Sequence, residues 1–157
     1  MKVTLLFVGK TDKKYLKEAI GEYTKRLKHY VNFNIEIIPD IKKTKNLTTD
    51  QQKIKEGELI LSKDFSGKEI HLFDENGKMY SSKEFSRFIE KKMLSGLKEL
   101  VFVIGGPYGF SEAVSKKANS KISLSRLTFS HQMARLLCVE QIYRAFTIVK
   151  GEPYHHD

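Results

Sequence analysis

The residues with the most chemical capacity fall in the last third of the chain. An apolar run, Leu100 to Ile104, leads straight into Gly105-Gly106-Pro107-Tyr108-Gly109. Where Cβ is missing, backbone amides and carbonyls can approach a ligand closely, so this loop can line a nucleotide-like pocket. It lacks the Lys-Ser/Thr of a P-loop and the spacing of the dinucleotide fingerprint, which argues against a triphosphate or a dinucleotide. The plainer reading is a tight strand-to-helix turn that needs positive φ at one or two glycines. A second loop, Leu124-Ser125-Arg126-Leu127-Thr128-Phe129-Ser130, mixes apolar side chains with hydroxyls and one arginine. Main-chain groups beside a greasy wall suit an adenosine or a sulfonium better than a phosphate chain, and Ser130 can cap the helix that follows. The chain closes on Tyr154-His155-His156-Asp157. A terminus this short often frays, yet an aromatic ring beside imidazoles is what stacks on and hydrogen-bonds an exposed base.

Between the second loop and the tail lies a helix pattern from about His131 to Val149, apolar on nearly every face. Such a helix asks for burial on more sides than one small sheet provides, and a subunit interface is the simplest way to supply it. Glu140 and Arg144 stand at i,i+4 and can pair with each other. Arg135 has no carboxylate three or four residues away, where His131, Gln132, Cys138 and Val139 stand. It is left either for a phosphate or substrate or for a partner elsewhere in the fold.

These groups must be positioned by a short, basic chain. It has 157 residues, 28 Lys+Arg against 19 Asp+Glu, and a net charge of +9. The excess is spread along the chain rather than gathered in a tail. A dispersed excess of this kind suits a polyanion, because each Lys or Arg that meets a phosphate releases a counterion; the alternative is a solvated basic surface. At this length a hydrophobic core needs no staple. The single Cys138 excludes a disulfide framework and any cysteine-based zinc cluster, and the histidines show no third ligand at metal spacing. No apolar run approaches the roughly 18 residues of a membrane span, and the start has no small-residue cleavage site. The expectation is one cytoplasmic domain over residues 1–157, with neither metal nor membrane.

The apolar pattern predicts strands and helices in alternation. Val3 to Val8 reads as a strand, then Thr11-Asp12 as the cap of a helix with Leu16, Ala19, Ile20, Tyr23 and Leu27 at helical spacing. Asn34 to Ile38 is a second strand, and Ile54, Leu59 and Ile60 mark a weaker helix. Glu69 to Asp74 is a third strand, ended by the turn Glu75-Asn76-Gly77-Lys78. Ser81-x-x-Glu84 is a capping box for a helix that stops at Gly96. Leu100 to Ile104, a short helix from Ser111, a short strand near Ile122 to Leu124 and the final helix complete the pattern. Strands that are continuous apolar runs between helices argue for an α/β fold, a mostly parallel sheet covered on both faces. In such sheets ligands bind beyond the carboxyl ends of strands, here the ends at Leu72, Ile104 and Leu124.

Five blocks together carry a family resemblance: Lys2-Val-Thr-Leu-Leu-Phe-Val-Gly-Lys10, Phe102-Val-Ile-Gly-Gly-Pro-Tyr-Gly109, Leu124-Ser-Arg-Leu-Thr-Phe-Ser-His-Gln-Met133, Glu140-Gln-Ile-Tyr-Arg-Ala-Phe146 and Gly151-Glu-Pro-Tyr-His155. In this order and at this length the chain resembles the small bacterial 23S rRNA pseudouridine N3-methyltransferases of the SPOUT superfamily. The resemblance implies a trefoil knot near the carboxy end, a homodimer, S-adenosylmethionine as donor, and assembled ribosomes carrying 23S rRNA as substrate. By motif, the donor would meet Leu72, Gly105, Leu124, Ser125, Arg126, Leu127, Thr128 and Phe129. The substrate would meet Arg135, Tyr154 and His155, with His155 as the base for the N3 proton and His131 second. Arg135 or Arg126 would then stabilise charge developing on the base's carbonyl oxygens. Family tails often carry a Lys or Arg where this chain has His156. The rival readings are a non-catalytic RNA-binding module, a nucleotide-binding enzyme using the glycine loop, and a methyltransferase acting on another RNA such as tRNA.

Overall fold

The computed structural model describes residues 1–156. Five strands form one sheet: β1 (Lys2–Val8), β2 (Asn32–Ile38), β3 (Lys68–Met79), β4 (Glu99–Ile104) and β5 (Ser120–Ser123). Their spatial order is β2-β1-β4-β3-β5, and every neighbouring pair is parallel. All strand carboxyl ends therefore emerge on one edge, which is where the loops after β4 and β5 lie. The connecting helices are α1 (Lys14–Leu27), α2 (Thr49–Leu61), α3 (Ser82–Leu94), α4 (Glu112–Lys117) and α5 (His131–Val149).

Alternate residues of the central strands feed two cores, as the two-residue period of a strand requires. Val3, Leu5 and Phe7 of β1 and Leu100, Phe102 and Ile104 of β4 pack with α1, α3 and α5. Leu6 and Val8, with Val101 and Val103, pack on the other face with Ile60 of α2 and Val114 of α4. Both faces of the sheet are thus dry, which is why its strands read as continuous apolar runs. The helix α5 lies between α1 and α3 over the sheet. Three-sided cover within one chain buries Cys138, Val139, Ile142, Tyr143, Ala145 and Phe146. Burial of α5 therefore does not by itself require a second subunit, as its apolar pattern had suggested.

Three local expectations change. The turn tetrapeptide does not end the third strand. Ile122 of β5 is paired with both Phe73 and Lys78, so residues 74–77 bulge out while β3 continues to Met79. Asp74 holds this bulge by accepting from the Asn76 amide at 2.9 Å. Gly77 is required there by close approach, since a Cβ would stand 2.5 Å from the Ile122 backbone nitrogen. Thr11-Asp12 does not cap α1, whose N-cap is Lys13 with no side-chain cap bond; both side chains are engaged by α5 instead. Finally, α2 leaves Ile54 and Leu59 exposed and turns Glu56, Gly57 and Ile60 inward. The capping box of α3 forms as the sequence predicts, with the Ser81 hydroxyl accepting from the Glu84 amide and the Glu84 carboxylate accepting from the Ser81 amide.

Candidate active site

A cavity of about 540 Å³ opens at the carboxyl edge of the sheet, where β4, β3 and β5 end. One wall is the glycine loop. Gly106 O accepts from Gly109 N at 3.2 Å, closing a four-residue turn with Pro107 in its second position and Gly109 in its fourth, the places these residues favour. Only Gly109 takes positive φ, +81°. Gly105 and Gly106 are small for a different reason, which is contact. A Cβ on Gly105 would meet the Phe110 ring at 3.1 Å, and one on Gly106 the Glu56 carboxylate at 2.5 Å.

The opposite wall is the loop after β5. The Ser123 hydroxyl donates to Ser125 O at 3.0 Å, and the Ser125 hydroxyl accepts from the Leu127 amide at 2.9 Å, so two serines shape the turn. Ser130 caps α5 by accepting from the Met133 amide at 3.2 Å. Leu127 and Phe129 are left exposed, Leu127 at 74 %. The floor comes from the bulge of β3, through Phe73, Asp74, Glu75 and Asn76. Two lysines reach the rim, Lys53 and Lys121, and Lys121 is spent on Asp74 at 3.2 Å. Lys53 is likewise paired, with Asp50 at 3.1 Å, and a cavity of glycine backbone, apolar side chains and hydroxyls with both of its lysines neutralised fits a nucleoside and a sulfonium and fits a polyphosphate poorly. Among the described residues, no group of three or more His, Cys, Asp or Glu is placed to hold a metal ion.

The sequence-derived residues divide clearly. Gly105, Leu124, Ser125, Leu127, Thr128 and Phe129 line the cavity together. Leu72 does not: it is wholly buried with Ile70, Val101 and Val103, so only its main chain can face a ligand, and Phe73 is the next side chain that does. Arg126 is exposed outside the lining. Arg135 is displaced altogether from substrate contact. Its side chain is 0 % exposed; Nη2 donates to Val8 O at 2.6 Å and Nη1 to Thr11 Oγ1 at 3.0 Å, and the guanidinium lies 5.0 Å from the Phe7 ring centroid. Of the two readings its spacing had left open, a partner elsewhere in the fold is the one realised. Phe73, the bulge residues 74–76 and His131 also line it; the turn signal at 75–78 marked the place but was read as a strand end.

His131 opens α5 at the cavity wall. Burial pushes its pKa down, and the Arg135 charge adds to this, against smaller opposing effects of Asp40 and Asp12. The neutral imidazole is thus favoured in the folded protein. The tail sits elsewhere. Tyr154 packs edge-on against Tyr143 at 4.8 Å between centroids and donates to Glu140 Oε1 at 3.0 Å. Its ring lies under Arg144, and the Arg144 guanidinium is 3.3 Å from His155 Nδ1. The expected Glu140–Arg144 pair forms, with Nε on Oε1 at 3.0 Å. From His131 to Arg144 is about 20 Å along the helix, so Tyr154 and His155 do not share the cavity of their own chain.

A parallel α/β sheet with a glycine loop after one strand and a hydroxyl-rich loop after the next, both opening on one cavity, describes an α/β protein with a nucleoside-sized site at its strand ends. The family model described as "Predicted SPOUT methyltransferase" matches residues 1–155, and the chain belongs to that family. Its relatives include the ribosomal RNA large subunit methyltransferase H of Christiangramia forsetii, 62% identical over 99% of both chains. Those of Flavobacterium johnsoniae, at 60% over 99% of both, and Parabacteroides distasonis, at 59% over the full length of both, carry the same description. In fold, the chain is similar to a probable methylase family protein from Haemophilus influenzae, with TM-score 0.50 and 13% identity, over 99% of this chain and 70% of that one.

The placement of Arg135 separates it from Arg126. Arg135→Ala removes both hydrogen bonds at the end of β1 and leaves a void, and is expected to lower unfolding free energy by about 3 kcal/mol, read as a shift of the urea midpoint. Arg126→Ala, at an exposed site, should leave that midpoint in place.

Proposed function

We propose that this protein transfers a methyl group from S-adenosylmethionine to N3 of a pseudouridine in 23S rRNA on assembled ribosomes, as one domain over residues 1–157 working in a homodimer. The observation that carries the reading is the cavity between loops 105–109 and 124–130, built on a chain that is 59–62% identical, end to end, to relatives described as ribosomal RNA large subunit methyltransferase H. The parallel order β2-β1-β4-β3-β5 is compatible with the trefoil knot the resemblance implies. No helix of the described residues is long and apolar enough to cross a membrane, and the +9 charge supports a polyanionic substrate. A non-catalytic RNA-binding module would have no use for the cavity.

S-adenosylmethionine, when bound, supplies a methyl group on a positively charged sulfur, open to in-line attack. The chain's contribution is placement and exclusion of water. Main-chain groups of Gly105 to Gly109 and of Leu124 to Ser130 would hold the donor, with Leu127 and Phe129 as an apolar cover. The Leu72 contribution would come through its main chain.

The N3 of pseudouridine is an imide nitrogen and must lose its proton around the time of attack. His131 lines the cavity in the form that can accept it. His155, the candidate from the tail, lies toward the other end of α5. For it to serve, a second copy must bring its own α5 and tail across the mouth of this cavity. The partly exposed stripe Met133, Leu137, Arg144 and Ile148 on α5 is the surface on which such pairing would occur. The second subunit is then needed to complete the site.

Labelled donor incubated with free 23S rRNA, isolated large subunits and whole ribosomes should label a single pseudouridine, and most readily in assembled ribosomes; incorporation into none of them by a folded protein overturns the reading. Truncation after Pro153 and Gly105→Val should each abolish transfer. Mixed and re-associated, the two defective chains should recover about a quarter of normal activity, since random pairing gives half heterodimers with one intact site each. No recovery would confine the tail to its own subunit.

The rate should also fall on acidification with a midpoint below the ordinary histidine value of about 6.5, because the pKa of His131 is lowered and the neutral form is the active one. His131→Ala should remove that limb from the kcat–pH profile. By linkage the same lowered pKa makes folding stability fall as pH drops, since the unfolded chain then binds the proton more readily.

A further inference from the structure

The glycine loop rests on a buried acid that none of the preceding chemistry uses. Glu56 lies on the inner face of α2 and is 5% exposed, an unusual place for a carboxylate. Two glycines make its position possible. Gly57, the next residue, lets α2 close on the start of α4, where a Cβ would stand 2.4 Å from Ser111 Oγ. Gly106 lets the donor loop settle onto the carboxylate, its own missing Cβ falling 2.5 Å from Glu56 Oε2 and 2.7 Å from Oε1. Gln52 Nε2 donates to Oε1 at 3.0 Å, one turn earlier on the same helix, and both carboxylate oxygens abut the Gly106 main chain, within 3 Å of where its Cβ would stand.

Core packing alone does not account for this arrangement. An apolar side chain at position 56 would fill the space without the cost of burying a charged or polar group. What an acid adds is a directed acceptor set against the Gly106 main chain, in the middle of the loop whose other groups face the cavity. Gly105, Gly106, Pro107, Tyr108 and Gly109 all line that cavity, whereas Glu56 is not among the residues that line it. Its effect on a ligand must pass through the loop.

We propose that Glu56 is a positioning residue for the methyl-donor site: its carboxylate, oriented by Gln52, fixes the Gly106 main chain and so holds loop 105–109 in the shape that receives the donor. The proposal rests on the reading of this cavity as the donor site. It assigns Glu56 a part in binding the donor and none in the transfer itself, because the carboxylate stands behind the loop. Removing the acceptor frees the loop to take other shapes, and binding must then select one of them at the expense of affinity.

The test is a comparison of wild-type protein, Glu56→Ala and Glu56→Gln. Affinity for S-adenosylhomocysteine is measured by calorimetry, and KM for S-adenosylmethionine and kcat are measured on ribosomes. Glu56→Ala should weaken product binding and raise donor KM by about tenfold, the scale of losing a hydrogen bond to a charged acceptor, with kcat at saturating donor within about twofold. Glu56→Gln keeps an acceptor oxygen for Gly106 and should restore most of the affinity. Melting curves establish that each variant is folded at the assay temperature. Should Glu56→Ala not fold, Gln52→Ala, which removes the orienting donor, should still raise donor KM about threefold. Unchanged donor affinity in the folded variants, or equal loss in Glu56→Gln and Glu56→Ala, overturns the role of Glu56. Wild-type protein that binds neither donor nor product overturns the donor-site reading itself.

Discussion

A fully buried guanidinium holds the site together. Arg135 bonds the carbonyl of Val8, the last residue of β1, and the hydroxyl of Thr11 just beyond it, and its Nε has no partner among the described residues. Burial lowers its pKa, while the charges of Asp40 and Asp12 act in the opposite direction. Burying a cation without a contacting carboxylate is costly, and what it secures is location. Gln132, three residues earlier, adds a reciprocal pair with Asp12, at 2.9 Å to its amide and 2.7 Å to its carboxylate. The first turn of α5 is thereby fixed on the carboxyl end of β1. Because α5 starts where loop 124–130 stops, that attachment also fixes one wall of the cavity and the place of His131.

The other wall is fixed by analogous means. Glu56 stands under Gly106 as Arg135 stands under Val8, each a buried polar group directed at main chain at the end of a central strand. Between them the bulge of β3 is braced by Asp74, which accepts from Asn76 and pairs with Lys121. The charge excess of the chain is therefore kept out of the cavity. The two lysines at its rim are paired with acids, Lys53 with Asp50 and Lys121 with Asp74, and the cavity itself is nearly neutral, a division that suits a nucleoside inside and a nucleic acid outside.

The length of α5 explains the division of the functional residues. Its first turn carries His131 and follows directly on loop 124–130; its second half carries Glu140, Arg144 and the docked tail, about 20 Å away. The tail is held by the edge-on contact of Tyr154 with Tyr143 and by its hydrogen bonds with Glu140 and Tyr23. One helix thus carries the cavity wall at one end and the docked tail at the other.

Much of this was written in the sequence itself. The alternation of apolar strands and amphipathic helices gave the parallel α/β layers, because covering both faces of a sheet demands continuous apolar runs. The glycine loop, the serine-bearing loop and the i,i+4 pair of Glu140 and Arg144 were readable because each depends on neighbours in the chain. Long-range partners were not. No local signal showed that Arg135 would be consumed by β1, that Leu72 would turn its side chain into the core, that the turn at 75–78 would bulge while its strand continued, or that α2 would bury Glu56 in place of Ile54. Each of these is set by which surface arrives from a distant part of the chain. Local spacing fixes what a residue can do, and only the packed structure fixes what it meets.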